Sequence, residues 1–154
     1  MKKINSYNFK NSMSKFATGV TVVSINDNNT FIGKTVNSFS SVSLNPPLVL
    51  FSLDKKSSSL NKFLKSKNIG INILQKKQKK LSLHFSKKNS QWNNIPFYNS
   101  NKKILLIIDA LVNLDCSLIK KFNVGDHYIF ICKIDYLKIN NSKKPMIYFK
   151  NKYL

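Results

Sequence analysis

The sequence predicts a mainly β protein, an antiparallel barrel that is closed or nearly closed, with short helices flanking it. Three observations carry this. Runs rich in β-branched and aromatic residues outnumber runs with helical spacing, turn residues separate them at short intervals, and no repeat or second domain is evident. With 154 residues, 42% hydrophobic and 12% aromatic, the chain fits one domain over residues 1–154 with a core of useful size.

Taken in order, Phe9, Met13, Phe16 and Ala17 fall at helical spacing, and Thr18-Gly19 ends the pattern, so an N-terminal helix is expected to pack on the strands after it. Val20–Ile25 is β-branched and reads as a strand. Asn26-Asp27-Asn28-Asn29 is a turn, and Thr30–Val36 returns as the second strand of a hairpin. After a Ser-rich stretch, Pro46-Pro47 excludes helix, and Leu48–Leu53 reads as a buried strand.

Ser57-Ser58-Ser59 precedes Leu60, Phe63 and Leu64, a short amphipathic helix with Ser at its cap. Asn68–Leu74 reads as a strand, and Gln75–Phe85, with Leu81 and Phe85 four apart, as a further helix. Ser86–Lys103 is a long Asn/Lys/Ser-rich connection of the kind found over active sites. Ala110–Lys120, His127–Ile139 and Pro145–Phe149 have strand character.

The formal charge of +20 invites a nucleic-acid reading, and the residue choice argues against it. All 26 basic residues are Lys, and all six acids are Asp. Arg, the side chain that forks onto guanine edges and phosphates, is absent. Pairs such as Lys2-Lys3, Lys55-Lys56, Lys87-Lys88 and Lys143-Lys144 are also scattered along the chain, whereas a groove binder concentrates them. Drift toward A+T-rich codons accounts for the bias. Such a surface still steers nucleotides and acidic proteins toward it.

Cys116 and Cys132 lie in apolar alternating segments without metal-ligand spacing and read as buried free thiols, which suits a reducing compartment. The start, Met1-Lys2-Lys3-Ile4, has no apolar segment behind its lysines, and no apolar run reaches membrane-spanning length. A cytoplasmic protein with no membrane association is the expectation.

Conventional catalytic devices are scarce. There is no Gly-rich dinucleotide loop, no P-loop, no metal cluster and no usefully spaced carboxylate pair, so a reaction in which the cofactor supplies the chemistry is favoured. The most informative stretch is Gly33-Lys34-Thr35-Val36-Asn37-Ser38-Phe39-Ser40-Ser41-Val42-Ser43-Leu44-Asn45-Pro46-Pro47. Small hydroxyl and amide residues between two apolar strands offer many hydrogen-bond groups with little bulk, which suits a polar planar ligand lying against backbone.

This stretch resembles the signature of the short-chain flavin reductases, whose fold is a Greek-key split β-barrel. The resemblance continues through Phe16–Val23, Ile71–Leu74, Gln78, Leu81-Ser82 and Phe85, Gly125-Asp126-His127 and Ile147-Tyr148-Phe149, in the family's order over roughly residues 9–149. It implies NAD(P)H-dependent reduction of FMN or FAD, with hydride passing between cofactors and no side chain as catalyst. It places the flavin ring against Thr35, Val36, Asn37 and Ser38, and the phosphate near Ser52, Leu53, Ser57, Ser58 and Ser59. Phe85 would lie close to the flavin, and His127 and Tyr148 on the nicotinamide side. It also implies a homodimer and a partner monooxygenase that takes reduced flavin.

Departures from the family pattern are Val36 where Ala is usual, and Lys102–Ile108 in place of a Gly and Pro pattern. Two alternatives stay open: a flavin-binding protein of the same fold without turnover, and a basic nucleic-acid-binding protein.

Overall fold

A computed structural model describes residues 3–154; Met1 and Lys2 of the leader reading and of the first lysine pair lie outside the described residues. The chain runs α1 (Ser6–Met13), β1 (Thr18–Gly19), β2 (Thr21–Asp27), β3 (Thr30–Val36), β4 (Ser40–Ser43), β5 (Leu48–Asp54), α2 (Leu60–Lys65) and β6 (Asn68–Ile73). A short 3-10 turn at Lys76–Gln78 leads into α3 (Lys79–Phe85). Next come β7 (Phe97–Asn99), β8 (Leu105–Ile107), β9 (Val112–Val124), β10 (His127–Ile139), β11 (Ile147–Phe149) and β12 (Lys152–Tyr153).

Seven strands form one antiparallel sheet in the order β3-β2-β6-β9-β10-β5-β4. The sheet curls until β3 and β5 approach each other, yet no ladder joins them. This gap is the split of the barrel, and it leaves the outward backbone of β3 unpaired.

β2 is buried on both faces, which is why Val20–Ile25 shows no polar alternation. Val23 and Ile25 enter the barrel core with Phe51, Phe63, Ile69, Ile71 and Phe130. Val20 and Val22 enter a second core with Leu74, Phe85, Trp92, Leu105, Ile107 and Met146 beneath α3 and the β7–β8 ribbon. In the barrel, Phe51 and Phe130 are register partners, and their rings stack with centroids 4.9 Å apart.

Polar groups tie the second core to the sheet. Asn72 and Asn113 face each other across β6 and β9, both buried. Asn72 donates to the Val22 carbonyl (3.0 Å), and its Oδ1 accepts from the Ile107 N–H (2.8 Å) and from Asn113 Nδ2 (2.8 Å). The Asn113 amide also donates to the Ile107 carbonyl at 3.0 Å. Asn72 and Asn113 thus join β8, which is laddered only to β7, to the seven-stranded sheet.

Several expectations are corrected. The first helix ends at Met13, leaving Phe16 and Ala17 outside it, and it buries none of its residues, so it does not pack as expected. Part of the Ser-rich stretch is a strand, β4, paired to β5. The Ser86–Lys103 connection contains β7, whose pairing with β8 has no local signal in the sequence. Gln75–Phe85 is two pieces, because a Gln75–Gln78 capping box starts a 3-10 turn ahead of α3. The helix cap falls on Ser59, whose side chain makes no capping bond.

Both cysteines are free and buried; burial raises both thiols, Cys132 to about 12, which leaves them unreactive near neutral pH.

On the far side, Asp135 accepts from Lys102 and from Ser117 Oγ (2.7 Å), with Lys133 at 3.4 Å. Burial works to raise the Asp135 carboxyl, but those hydrogen bonds and the Lys102 charge outweigh it and hold the group down at about 2. A carboxyl lowered on folding contributes stability that is complete above its ordinary value of 3.8 and lost as pH falls toward 2. Asp135→Asn is therefore expected to lower the melting temperature near neutral pH and to flatten its decline below pH 4, read as Tm against pH for both proteins.

Candidate active site

Antiparallel pairing brings the ends of three strands to one place. The C-terminal end of β3 and the segment after it, residues 34–38, lie across the barrel split from Ser52, Leu53 and Asp54 at the end of β5. The first residue of β10, His127, is in register with Asp54. Together they line a cleft of about 380 Å³, with Lys56, Ser57, Ser58, Ser86 and Lys88 completing it.

The 34–38 wall is held rigidly by its own side chains. Thr35 Oγ1 donates to the Ser82 carbonyl of α3 at 2.7 Å. Ser38 Oγ accepts from the Ser52 N–H (2.9 Å) and donates to the Ser52 carbonyl (3.2 Å), bridging the split at its end. With these hydroxyls engaged, what the wall presents to the cleft is backbone, that of Thr35 on the free edge of β3 and that of Ser38 just beyond the strand. Behind the wall, Gly33 sits against the fully buried Phe85 ring, where an added Cβ would lie 2.5 Å from Cδ1.

His127 is placed by a two-residue turn, Gly125-Asp126, in which Gly125 takes a positive φ of 55°. Lys55 clamps this turn from β5's end, its N–H donating to the Asp126 carbonyl (2.9 Å) and its Nζ to the Gly125 carbonyl (2.5 Å). His127 Nδ1 donates to Asp126 Oδ1 at 2.7 Å, which leaves Nε2 free. That hydrogen bond, and next the His127 charge, lower the Asp126 carboxyl from its usual range.

The cleft is cationic. Lys34, Lys56 and Lys88 line it against one carboxylate, Asp54, whose Oδ1 already accepts from the Lys56 N–H at 2.7 Å. Lys34 Nζ donates to the Lys87 carbonyl (2.8 Å), and its pKa is lowered by burial and then by Lys88. Two ammonium groups held near each other form a place for an anion.

Of the twelve residues singled out from the sequence, Thr35, Val36, Asn37, Ser38, Ser52, Leu53, Ser57, Ser58 and His127 line this cleft. Three do not. Ser59 is buried, with its Oγ 3.2 Å from that of Ser57. Phe85 is fully buried behind β3, against Trp92 with centroids 4.8 Å apart, so it shapes the wall without lining the cleft. Tyr148 lines a second hollow of about 290 Å³ with Val20 and Tyr153, on which Thr35, Val36 and Asn37 also border. It therefore does not share His127's cleft. Lys34, Asp54, Lys56, Ser86 and Lys88 also line the cleft without being among the twelve; Lys34 lies within the signature stretch itself, and only its lysine identity, read as drift, hides it.

The chain matches the model of the flavin reductase like domain over residues 13–154. It is 35% identical over 130 residues to the FMN reductase (NADH) SmoA of Agrobacterium fabrum, spanning 84% of this chain and 75% of that protein. It is 26% identical over 151 residues to HsaB of Rhodococcus jostii, the reductase subunit of a flavin-dependent monooxygenase, spanning 97% and 77%. The solved structure of flavin reductase PheA2 superposes with a TM-score of 0.91 at 37% identity, covering 98% of this chain and 97% of that one.

Proposed function

Since this chain belongs to the flavin reductase like domain family, we propose that it is an NADH-dependent flavin reductase whose flavin lies in the cleft at the barrel split. The observation that carries this reading is the wall at residues 34–38, the free edge of β3 and the segment after it, pinned by Thr35 and Ser38 and faced by Lys56 and Lys88 with Lys34 at its own end. Those residues fit the group. A flat heteroaromatic ring with a hydrogen-bonding edge needs backbone donors and little bulk, and a phosphate needs the hydroxyls of Ser57 and Ser58 and the charge of Lys56.

Ser57, Ser58 and Lys56 would hold the flavin phosphate and the 34–38 wall its ring, and flavin held there would supply the redox chemistry, that of a hydride acceptor for NADH. The chain supplies position and field. The outward backbone N–H of Thr35, which the β2–β3 register leaves on the free edge, and that of Asn37 just past the strand would stabilise the negative charge that arrives with a hydride. Lys34 and Lys88 add positive potential at the cleft mouth and draw nucleotide anions toward it. His127, with Nδ1 held by Asp126, would use its remaining Nε2 to position the nicotinamide. Tyr148, in the neighbouring hollow, would pack against the nicotinamide dinucleotide beyond its ring rather than beside His127.

The single unit is proposed to work as a homodimer. Phe9 (54% exposed), Met13 (55%) and Phe16 (74%) in and after α1, with Leu44 (91%) at the β4–β5 turn, leave apolar surface for a second copy to cover. A partner monooxygenase that receives the reduced flavin, as the HsaB relationship suggests, and a cytoplasmic setting that keeps Cys116 and Cys132 reduced complete the reading. Among the described residues no helix is long and apolar enough to cross a membrane.

His127→Ala tests the assignment. Its apparent KM for NADH is expected to rise about tenfold, and that for flavin by less than about twofold, since the loss of one positioning contact is worth roughly 1.4 kcal/mol. Unchanged steady-state constants would remove His127 from the site.

A further inference from the structure

Where β9 and β10 meet the β7–β8 ribbon, a pocket of about 170 Å³ is lined by Tyr98, Asn113, Asp115, Tyr136, Leu137 and Lys138 among others. Asp115 is 3% exposed, and neither of its carboxylate oxygens has a hydrogen-bond partner among the described residues. The other acids differ. Asp27 pairs with Lys62 at 3.3 Å, Asp54 accepts from the Lys56 N–H, Asp126 from His127 and Asp135 from Lys102 and Ser117, while Asp109 is exposed. In a chain with 26 basic residues, the one buried carboxylate among the described residues has neither a cation nor any hydrogen-bond donor.

Its neighbours cannot satisfy it. Asn113, two residues before it on the same strand face, spends its amide hydrogens on Asn72 Oδ1 (2.8 Å) and the Ile107 carbonyl (3.0 Å). Lys138 holds its ammonium over the Tyr98 ring, 5.0 Å from the centroid, and forms no ion pair with Asp115. Burial first, and then the Asp115 charge, raise the Tyr98 hydroxyl.

We propose that this pocket is a binding site for a primary ammonium group, supplied by a small alkylamine or by a lysine side chain of a second copy of the chain. One carboxylate is too few for a divalent cation, which takes several oxygen ligands, and no cluster of three metal-binding side chains occurs among the described residues. An organic cation gains both from the carboxylate and from an aromatic ring such as that of Tyr136, which lines the pocket and carries no cation of the chain's own. The volume admits a short alkyl chain, and the exposed rim of Tyr136 (56%) and Leu137 (59%) would be covered by whatever carries it.

This inference lies outside the flavin cleft, and its test reads melting and assembly rather than turnover. Wild type, Asp115→Asn and Lys138→Met are melted with putrescine or methylammonium against sodium chloride of equal ionic strength, and their masses are measured by light scattering. A free-amine site predicts that amine raises the wild-type Tm by several degrees and leaves Asp115→Asn unmoved. A lysine from a second copy predicts no amine response, a dimeric wild type, and a dimer Kd at least about tenfold higher in Asp115→Asn. If the wild type ignores amine and its assembly is unaffected by Asp115→Asn, the proposal fails. It also fails if the amine response emerges only in Lys138→Met, which would show that the chain's own lysine fills the pocket. The wild-type titration stands even if a variant does not fold.

Discussion

Gly33→Ala is expected to destabilise the protein by about 3 kcal/mol and to take flavin binding down with it. The new methyl would meet Phe85 Cδ1 at 2.5 Å and Cε1 at 2.6 Å, and that ring is fully buried. It has nowhere to go, since it packs against Trp92 (centroids 4.8 Å) and His84 (4.9 Å). The strand must yield instead. β3 would be pushed outward at the residue that precedes the 34–38 wall, shifting the backbone that faces the cleft. Denaturant unfolding measures the stability change, and quenching of flavin fluorescence measures binding. Phe85→Leu is the informative partner, because the double variant should lose less stability than the sum of the two single losses. Additive losses would mean that the close approach does not govern this wall.

Asn72→Ala is expected to cost about 3 kcal/mol, through a different mechanism. The change strips partners from the Val22 carbonyl, the Ile107 N–H and the Asn113 amide at once, all in the interior. Buried polar groups that lose their partners carry the full cost of desolvation, and the cavity left by the side chain adds to it. For a chain of 154 residues the expected fall in Tm is on the order of 10 °C. Because β8 lies away from the cleft, turnover at temperatures well below the transition should persist. A Tm within about 2 °C of wild type would show that water replaces the amide without loss.

The legible and illegible parts of the fold separate by how local their causes are. Thr30–Val36 is legible with its observed bounds because an Asn-rich turn marks its start and a polar segment its end. Leu48–Asp54 and His127–Ile139 are nearly as clear, since each is a β-branched or aromatic run bounded by turn residues. The first helix misleads because its apolar residues have helical spacing but face outward, and spacing alone cannot say what a face packs against. β7 and β8 are three residues each and exist through their mutual pairing and the Asn72–Asn113 bonds, which no local pattern announces.

The candidate site divides in the same way. Motif alone groups Thr35–Ser38, Ser52, Leu53, Ser57, Ser58 and His127, and the curl of the sheet does bring them to one cleft. The positions of Phe85 behind the wall and Tyr148 beside it depend on tertiary packing. The uniform lysine content hides the cationic character of the cleft. When a residue type is abundant everywhere, its presence at Lys34 and Lys88 carries no signal until the structure shows that the two share one cleft.

The central claim is tested most directly by following NADH oxidation by the purified protein with FMN, with FAD and without added flavin. Flavin reduction at the barrel split predicts oxidation that depends on flavin and is lost in Gly33→Ala in step with flavin binding. NADH left unoxidised by a folded protein that binds neither flavin would contradict it.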